Sequence, residues 1–225
     1  MMVRLLLFAG VAFGFVGMVN GADYRVEKLA EAAPADDLSD ELAATLADEG
    51  FRVVRGSNRT VCEIWPCKEW MVKPGFKPTS ELLYPFKPGQ LLGVLRFKRR
   101  GSDFREQQIS RGVYTLRFGM QPVDGNHEGT SPTRDFLLLA SAESDASPEV
   151  MDVKKLLELS AEAAGSNHPA MLCLQKVQDA DGESPRLRHD EQRDWWMLQF
   201  QNTALAGDEK LSLPMEVVVV GHAEE

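Results

Sequence analysis

The chain of 225 residues carries 34 Asp and Glu against 25 Lys and Arg, a formal charge of −9 at pH 7. Such a surface repels nucleic acid unless a basic patch is segregated from the rest, and it favours solubility. The length suffices for one or two domains with a sizeable core.

The first 21 residues have the pattern of a secretory signal peptide. Met1 to Arg4 supplies a short basic start, Leu5 to Val19 is an unbroken run of apolar residues and glycine, and Asn20-Gly21-Ala22 is a small-residue exit. The apolar run falls short of the ~20 residues that a membrane-spanning helix needs, and no cysteine stands at the exit to carry a lipid. Cleavage after Gly21 would give a secreted or periplasmic protein without an integral membrane segment. Residues 22–50 are rich in Ala, Glu and Asp. Leu38, Leu42 and Leu46 recur every four residues on one helical face. Asp36, Asp37 or Ser39 is placed to cap that helix and Gly50 to stop it. The pattern predicts a flexible acidic lead, then one short helix lying on the main domain.

From Phe51 the texture is that of strands. Phe51 to Arg55, a turn at Gly56-Ser57-Asn58, and Thr60 to Trp65 form a hairpin signal. Leu91 to Phe97, Gly112 to Phe118, Phe136 to Leu139, Met171 to Val177, Trp195 to Phe200 and Met215 to Val220 are further strand candidates. Pro148 to Ala164 has helical spacing at Val150, Val153, Leu156, Leu157 and Leu159 and ends at Gly165. Short strands separated by Gly, Pro and Asn predict a mainly β domain over 51–225. The expected form is an antiparallel β-sandwich, Greek-key or jelly-roll-like, with one inserted helix and the short N-terminal helix. Tyr114, near the start of its strand, is placed to fold its hydroxyl onto loop backbone and fix a corner.

Three cysteines are present, Cys62, Cys67 and Cys173. An oxidising compartment permits a Cys62–Cys67 disulfide. Residues five apart on a strand lie roughly 16 Å apart, so the bridge needs a sharp turn at Pro66. Cys173 is expected as a buried free thiol.

Several phrases are familiar together: Cys62-Glu63-Ile64-Trp65, Arg117 to His127, Thr133 to Leu139, Asn167-His168-Pro169-Ala170, and Val218 to His222. Over roughly residues 51–225 the chain resembles a family of uncharacterised exported bacterial β-sandwich proteins. The resemblance implies the sandwich architecture and a secreted location, and no activity. The Cys62, Cys67 pair is peculiar to this chain.

Asp124-Gly125-Asn126-His127-Glu128-Gly129-Thr130 is the best candidate for chemistry, because it packs carboxylates, an amide and an imidazole between glycines. An oxygen-rich loop of this kind can hold calcium, although it lacks the helix-loop-helix spacing. His127 with His168 can instead hold a divalent transition metal, given a third ligand from Asp124, Asp135 or His222. Organic-ligand binding is a further option. The plain alternative makes Asp124 and Asn126 turn formers and His127 a pin for a long loop. Elsewhere, Glu63 is expected to pair with Arg117 or Arg134, or to act with Asp135 as a catalytic carboxylate. The methionines read as core filler. Trp65, Trp70, Trp195 and Trp196 offer a sugar platform if one is exposed; Trp195 and Trp196 must face opposite sides of a strand. Lys98-Arg99-Arg100, with Arg96 and Arg105 nearby, is either a basic loop closing a strand or a phosphate or polyanion site.

No nucleophile elbow, phosphate-cradling loop, zinc-protease histidine pair or dinucleotide fingerprint is present. The sequence therefore predicts, first, a non-catalytic exported module that binds an envelope component or protein partner. The alternatives are a metal-binding protein or metal-dependent hydrolase built on Asp124, His127 and His168, and a carbohydrate-binding module using an exposed tryptophan.

Overall fold

The structure, a computed structural model, describes residues 23–124 and 131–223. Strand β1 (Tyr24–Leu29) is followed by helix α1 (Asp40–Thr45), β2 (Gly50–Arg55), β3 (Arg59–Pro66) and the short β4 (Trp70–Met71). Next come β5 (Leu91–Phe97), β6 (Gly101–Ser102), β7 (Gln108–Ile109), β8 (Gly112–Met120) and β9 (Asp135–Ser141). Helix α2 (Val153–Ala164) then leads to β10 (Met171–Gln175), β11 (Arg186–Asp190), β12 (Trp195–Ala206) and β13 (Glu209–Val220).

One large sheet takes the order β1-β2-β3-β5-β8-β9-β10-β13-β12-β11. Every ladder on that path is antiparallel, while β4 joins β12 in parallel. Its two ends approach each other, so the sheet is nearly closed. Tyr24 of β1 packs on Trp196 of β12 at 4.9 Å, and Phe51 of β2 on Phe200 of β12 at the same distance. The inward residues Leu95, Leu116, Phe118, Leu137, Leu139, Leu172, Leu174, Leu198 and Val217 share one cluster. β6 and β7 form a separate ribbon.

The mainly β, antiparallel expectation holds, and the Leu91 to Phe97 run coincides with β5. The lead is different from what was expected. Tyr24 to Leu29 pairs along its whole length with β2 and is not a flexible arm. In α1 only Ser39 of the candidate caps acts, accepting from Leu42 N at 3.1 Å. The helix stops at Thr45, Leu46 bridges to Cys67, and Gly50 opens β2 instead of closing the helix. α2 begins at Val153, capped by Asp152, and ends at Gly165 in the left-handed conformation at φ 61°. Tyr114 does make its corner, donating to Ser110 O at 2.9 Å.

Part of the outer face of the sheet is also covered, and buried charges brace both the covers and the strands. Arg117 and Asp145 are both fully buried and bonded through two nitrogens and two oxygens, 2.5 and 2.8 Å apart. Arg117 also donates to the carbonyls of Gly89 and Glu149 at 2.7 and 2.8 Å, tying residues 145–151 to the sheet. Glu63 is fully buried beneath Arg52, Arg96 and Lys98, at 2.6, 2.5 and 2.8 Å. Burial would raise its pKa, but hydrogen bonds from Lys98, Arg52 and Arg96 outweigh burial and hold it below the usual value. Its partners are thus not Arg117 or Arg134, because β3 lies between β2 and β5, which supply Arg52 and Arg96.

Candidate functional site

Between the outer face of the sheet and its covers lies a cavity whose frame is set by Asp103. This carboxylate is 2% exposed. It accepts hydrogen bonds from Arg105 N (2.9 Å), Gln107 N (2.8 Å), Gln107 Nε2 (2.9 Å) and Met171 N (3.1 Å). Burial drives its pKa up and these bonds oppose that, with the net effect upward. The knot fixes the β6–β7 loop on the start of β10, and Phe104 N adds a bond to Met171 O at 2.8 Å. Phe104 O in turn receives Ala223 N at 2.8 Å, which latches the segment after β13. Gln107 Nε2 reaches Pro169 O (3.1 Å) and Gln107 Oε1 bonds Ser166 Oγ, whose oxygen accepts from His168 N at 2.9 Å. The α2–β10 connection that carries His168 is thereby held against the same loop.

The cavity measures about 280 Å³. Its walls are Phe104, Met120, Phe136, Leu138, Leu157 and Met171. They come together because β9 is apolar on both faces: Leu137 and Leu139 point inward while Phe136 and Leu138 point out. Leu157 leans over the opening from α2 and is 41% exposed. Arg105, Asn167 and His168 supply the polar rim, and all three are exposed. Among the described residues, the Arg105 guanidinium and the His168 ring have no hydrogen-bond or ion-pair partner. The site is an apolar slot with an uncommitted cation and imidazole at its edge.

Of the residues expected to act, His168 stands at this rim. Gln121 and Pro122 line the same cavity, so Asp124 lies two residues beyond its wall. His127 lies outside the described residues. Asp135 is on the opposite face of β9 from Phe136, and its oxygens accept from Leu83 N (3.0 Å) and Tyr84 N (3.1 Å). It is therefore placed neither to complete a ligand set with His168 nor to work beside Glu63. His222 is exposed, and its carbonyl receives Trp195 Nε1 at 2.9 Å. No three metal-ligating side chains gather among the described residues.

The cysteines are free and buried. β3 runs on through Pro66 without the sharp turn a Cys62–Cys67 bridge requires, so the disulfide is absent. Burial pushes both thiols up to about 12. Cys173 is buried as expected, within reach of Ser131, Thr133 and Gln175. Trp65, Trp70 and Trp195 are buried. Trp196 is half-buried and stacks on His189 at 4.2 Å and 10°, so one of its faces is occupied. Met71, 59% exposed, is not core filler.

The roles of Asp103, Arg105 and Leu157 escape sequence reading. Asp103 to Gln107 reads as a polar turn, and nothing local reveals that its carboxylate is buried. A signal for Leu157 does exist: Val153 and Leu157 extend the apolar positions of α2 beyond the face that Leu156 buries, and both stay exposed. No protein-family model matches the chain, and no curated protein or solved structure matches it.

Proposed function

We propose that the protein is an exported, non-catalytic binding module whose outer cavity takes a small apolar molecule bearing an anionic group. One observation carries this reading: an apolar slot of about 280 Å³ with unpartnered Arg105 and His168 at its rim. Ligand sites are apolar clefts with a few placed polar groups, usually ~300 Å³ or more, so the fitting ligand is of fragment size. A carboxylate or sulfonate would meet Arg105 while its apolar body lies on Phe136 and Leu138. Among the described residues no activated nucleophile lines the slot, and the three thiols are buried. We read the nearly closed sheet as a flattened sandwich, supported by the Phe51–Phe200 contact across its interior. We read residues 1–21 as the export signal on its short basic start, apolar run and small-residue exit.

The test is fluorescence of anilinonaphthalene sulfonate, an apolar anion, and its displacement by aromatic and short-chain aliphatic carboxylates. Enhancement should be saturable, weakened by Arg105→Ala and abolished by Leu157→Trp, which fills the slot from the exposed helix. Enhancement identical in both variants would refute the reading. Elemental analysis of the same preparation decides the alternative: one equivalent of metal, lost in His168→Ala, would replace the slot with a metal centre on Asp124, His127 and His168.

A further inference from the structure

A second concavity, of about 590 Å³, opens at one end of the sheet and shares only Phe104 with the slot. Two turns meet there. β2 and β3 are joined through residues 56–58, and because β3 and β5 are antiparallel, the turn after Phe97 falls at the same end. Arg55, Arg59, Arg99 and Arg100 stand in its wall, all exposed, in a chain of net charge −9.

The arginines are largely uncommitted. Lys98, their neighbour, is diverted to Glu63. Arg100 Nη1 donates to the neutral Gln108 Oε1 at 2.9 Å, and Arg55 lies over the Tyr24 ring at 5.6 Å. Arg59 and Arg99 have no hydrogen-bond or ion-pair partner among the described residues. Arg55 and Arg59 are moreover direct partners across the β2–β3 ladder, an arrangement of like charges that costs stability. The wall's carboxylates do not compensate. Asp103 is consumed by its four hydrogen bonds, and Asp194 bonds His189 Nε2 at 2.8 Å. Among the described residues of the wall, only Glu106 adds an uncommitted negative charge.

We propose that this mouth binds a compact anion carrying two or more phosphate or sulfate groups. Guanidinium forks match such oxyanions through paired hydrogen bonds. Four of them around one concavity exceed what a single oxyanion can engage. The self-repulsion of Arg55 and Arg59 is relieved when such a ligand is present. The proposal is independent of the apolar slot, since the arginines lie outside it.

Titration calorimetry with inositol hexakisphosphate and with a heparin disaccharide tests it and separates phosphate from sulfate as the source. Binding should be saturable and weaken at least ~10-fold between about 50 mM and about 300 mM NaCl. Arg59→Ala/Arg99→Ala should lose at least ~10-fold in affinity, the Lys pair should retain part of it, and Lys210→Ala, at the opposite end of β13 from the mouth, should bind as wild type. The unliganded alanine pair should melt no lower than wild type, because a repulsion has been removed. Absence of saturable heat with both probes overturns the proposal. So does an alanine pair that binds like wild type, or a Lys210→Ala loss equal to that of the pair.

Discussion

Replacing Glu63 by Gln tests the claim that a buried carboxylate holds three strands together. The side chain is fully buried, and its oxygens receive Arg52 Nε at 2.6 Å, Lys98 Nζ at 2.8 Å, and Arg96 through both Nε and Nη2 at 2.6 and 2.5 Å. Breaking a wholly buried ion pair costs about 3–5 kcal/mol. Here the three cations are 23–41% exposed and can turn to water, or towards Glu31 at 3.6 to 4.0 Å. That discount leaves a loss of about 2–3 kcal/mol at pH 7. For a chain of this size it is a drop of roughly 5–10 °C in Tm. Urea unfolding of wild type and Glu63→Gln gives the number directly. The pH dependence supplies a second check. The folded-state pKa of Glu63 lies below its unfolded value, so the stabilisation is complete above the unfolded pKa of about 4.3. It fades as pH falls through the folded value. The gap between the two proteins should therefore be constant from pH 7 to about 5 and narrow below that. A gap under about 1 kcal/mol at pH 7, or one that does not narrow in acid, would refute the reasoning.

Arg117→Met should cost about 3–5 kcal/mol in urea unfolding, because Asp145 stays buried without its counter-charge; adding Asp145→Asn should recover part of the loss. Gly89 sits at φ 85°, and a Cβ there would lie 1.9 Å from Met151 O. Gly89→Ala should destabilise by at least about 1–3 kcal/mol and loosen residues 148–151, read as faster amide exchange at Met151, whose N–H bonds Gly89 O. Native protein at pH 8 should show no rapidly titrating thiol with an aromatic disulfide reagent, and three after unfolding, since Cys62 and Cys67 sit near 12 and Cys173 is buried and raised.

Sequence reading finds the strands whose apolar residues run together or alternate cleanly; on the sheet path the two it misses are the ends, and off the path it misses the two-residue strands β4, β6 and β7. Tyr24-Arg25-Val26-Glu27-Lys28-Leu29 alternates with charge, and Arg25 and Glu27 bond each other on its open side. Arg186-Leu187-Arg188-His189-Asp190 is half-buried throughout and held by pairing with β12 and the His189–Trp196 stack. End strands carry charge because one edge lies unpaired, and here that charge hides them inside acidic and polar surroundings. α1 is shorter than its leucine spacing predicts for a related reason. Leu46 is taken by the bridge to Cys67, a tertiary contact with no trace in the local pattern.

The site was legible in one respect that periodicity alone does not exploit. A strand covered on one face alternates, whereas Phe136-Leu137-Leu138-Leu139 is apolar at every position, which demands cover on both faces. The inner cover is the sheet's own interior. On the outer side of the described residues it is α2, the Asp103 loop and the segment ending at Ala223. Covers that are separate elements pinned at a few points leave gaps between those points, and the slot is such a gap, bounded by Leu157 on one side and Phe104 on the other. The pins cannot be read in advance, because Asp103, Glu63, Arg117 and Asp145 are charged residues that composition assigns to water. The partners of Glu63, Arg117 and Asp145 are far away in sequence, and Asp103, though bonded locally to Arg105 and Gln107, is tied into the fold through Met171 N. His168 draws notice only by its residue type, and what brings it to the rim is the Ser166–Gln107–Asp103 chain of hydrogen bonds. Cutting that chain at Gln107 should release the rim while leaving the sheet intact.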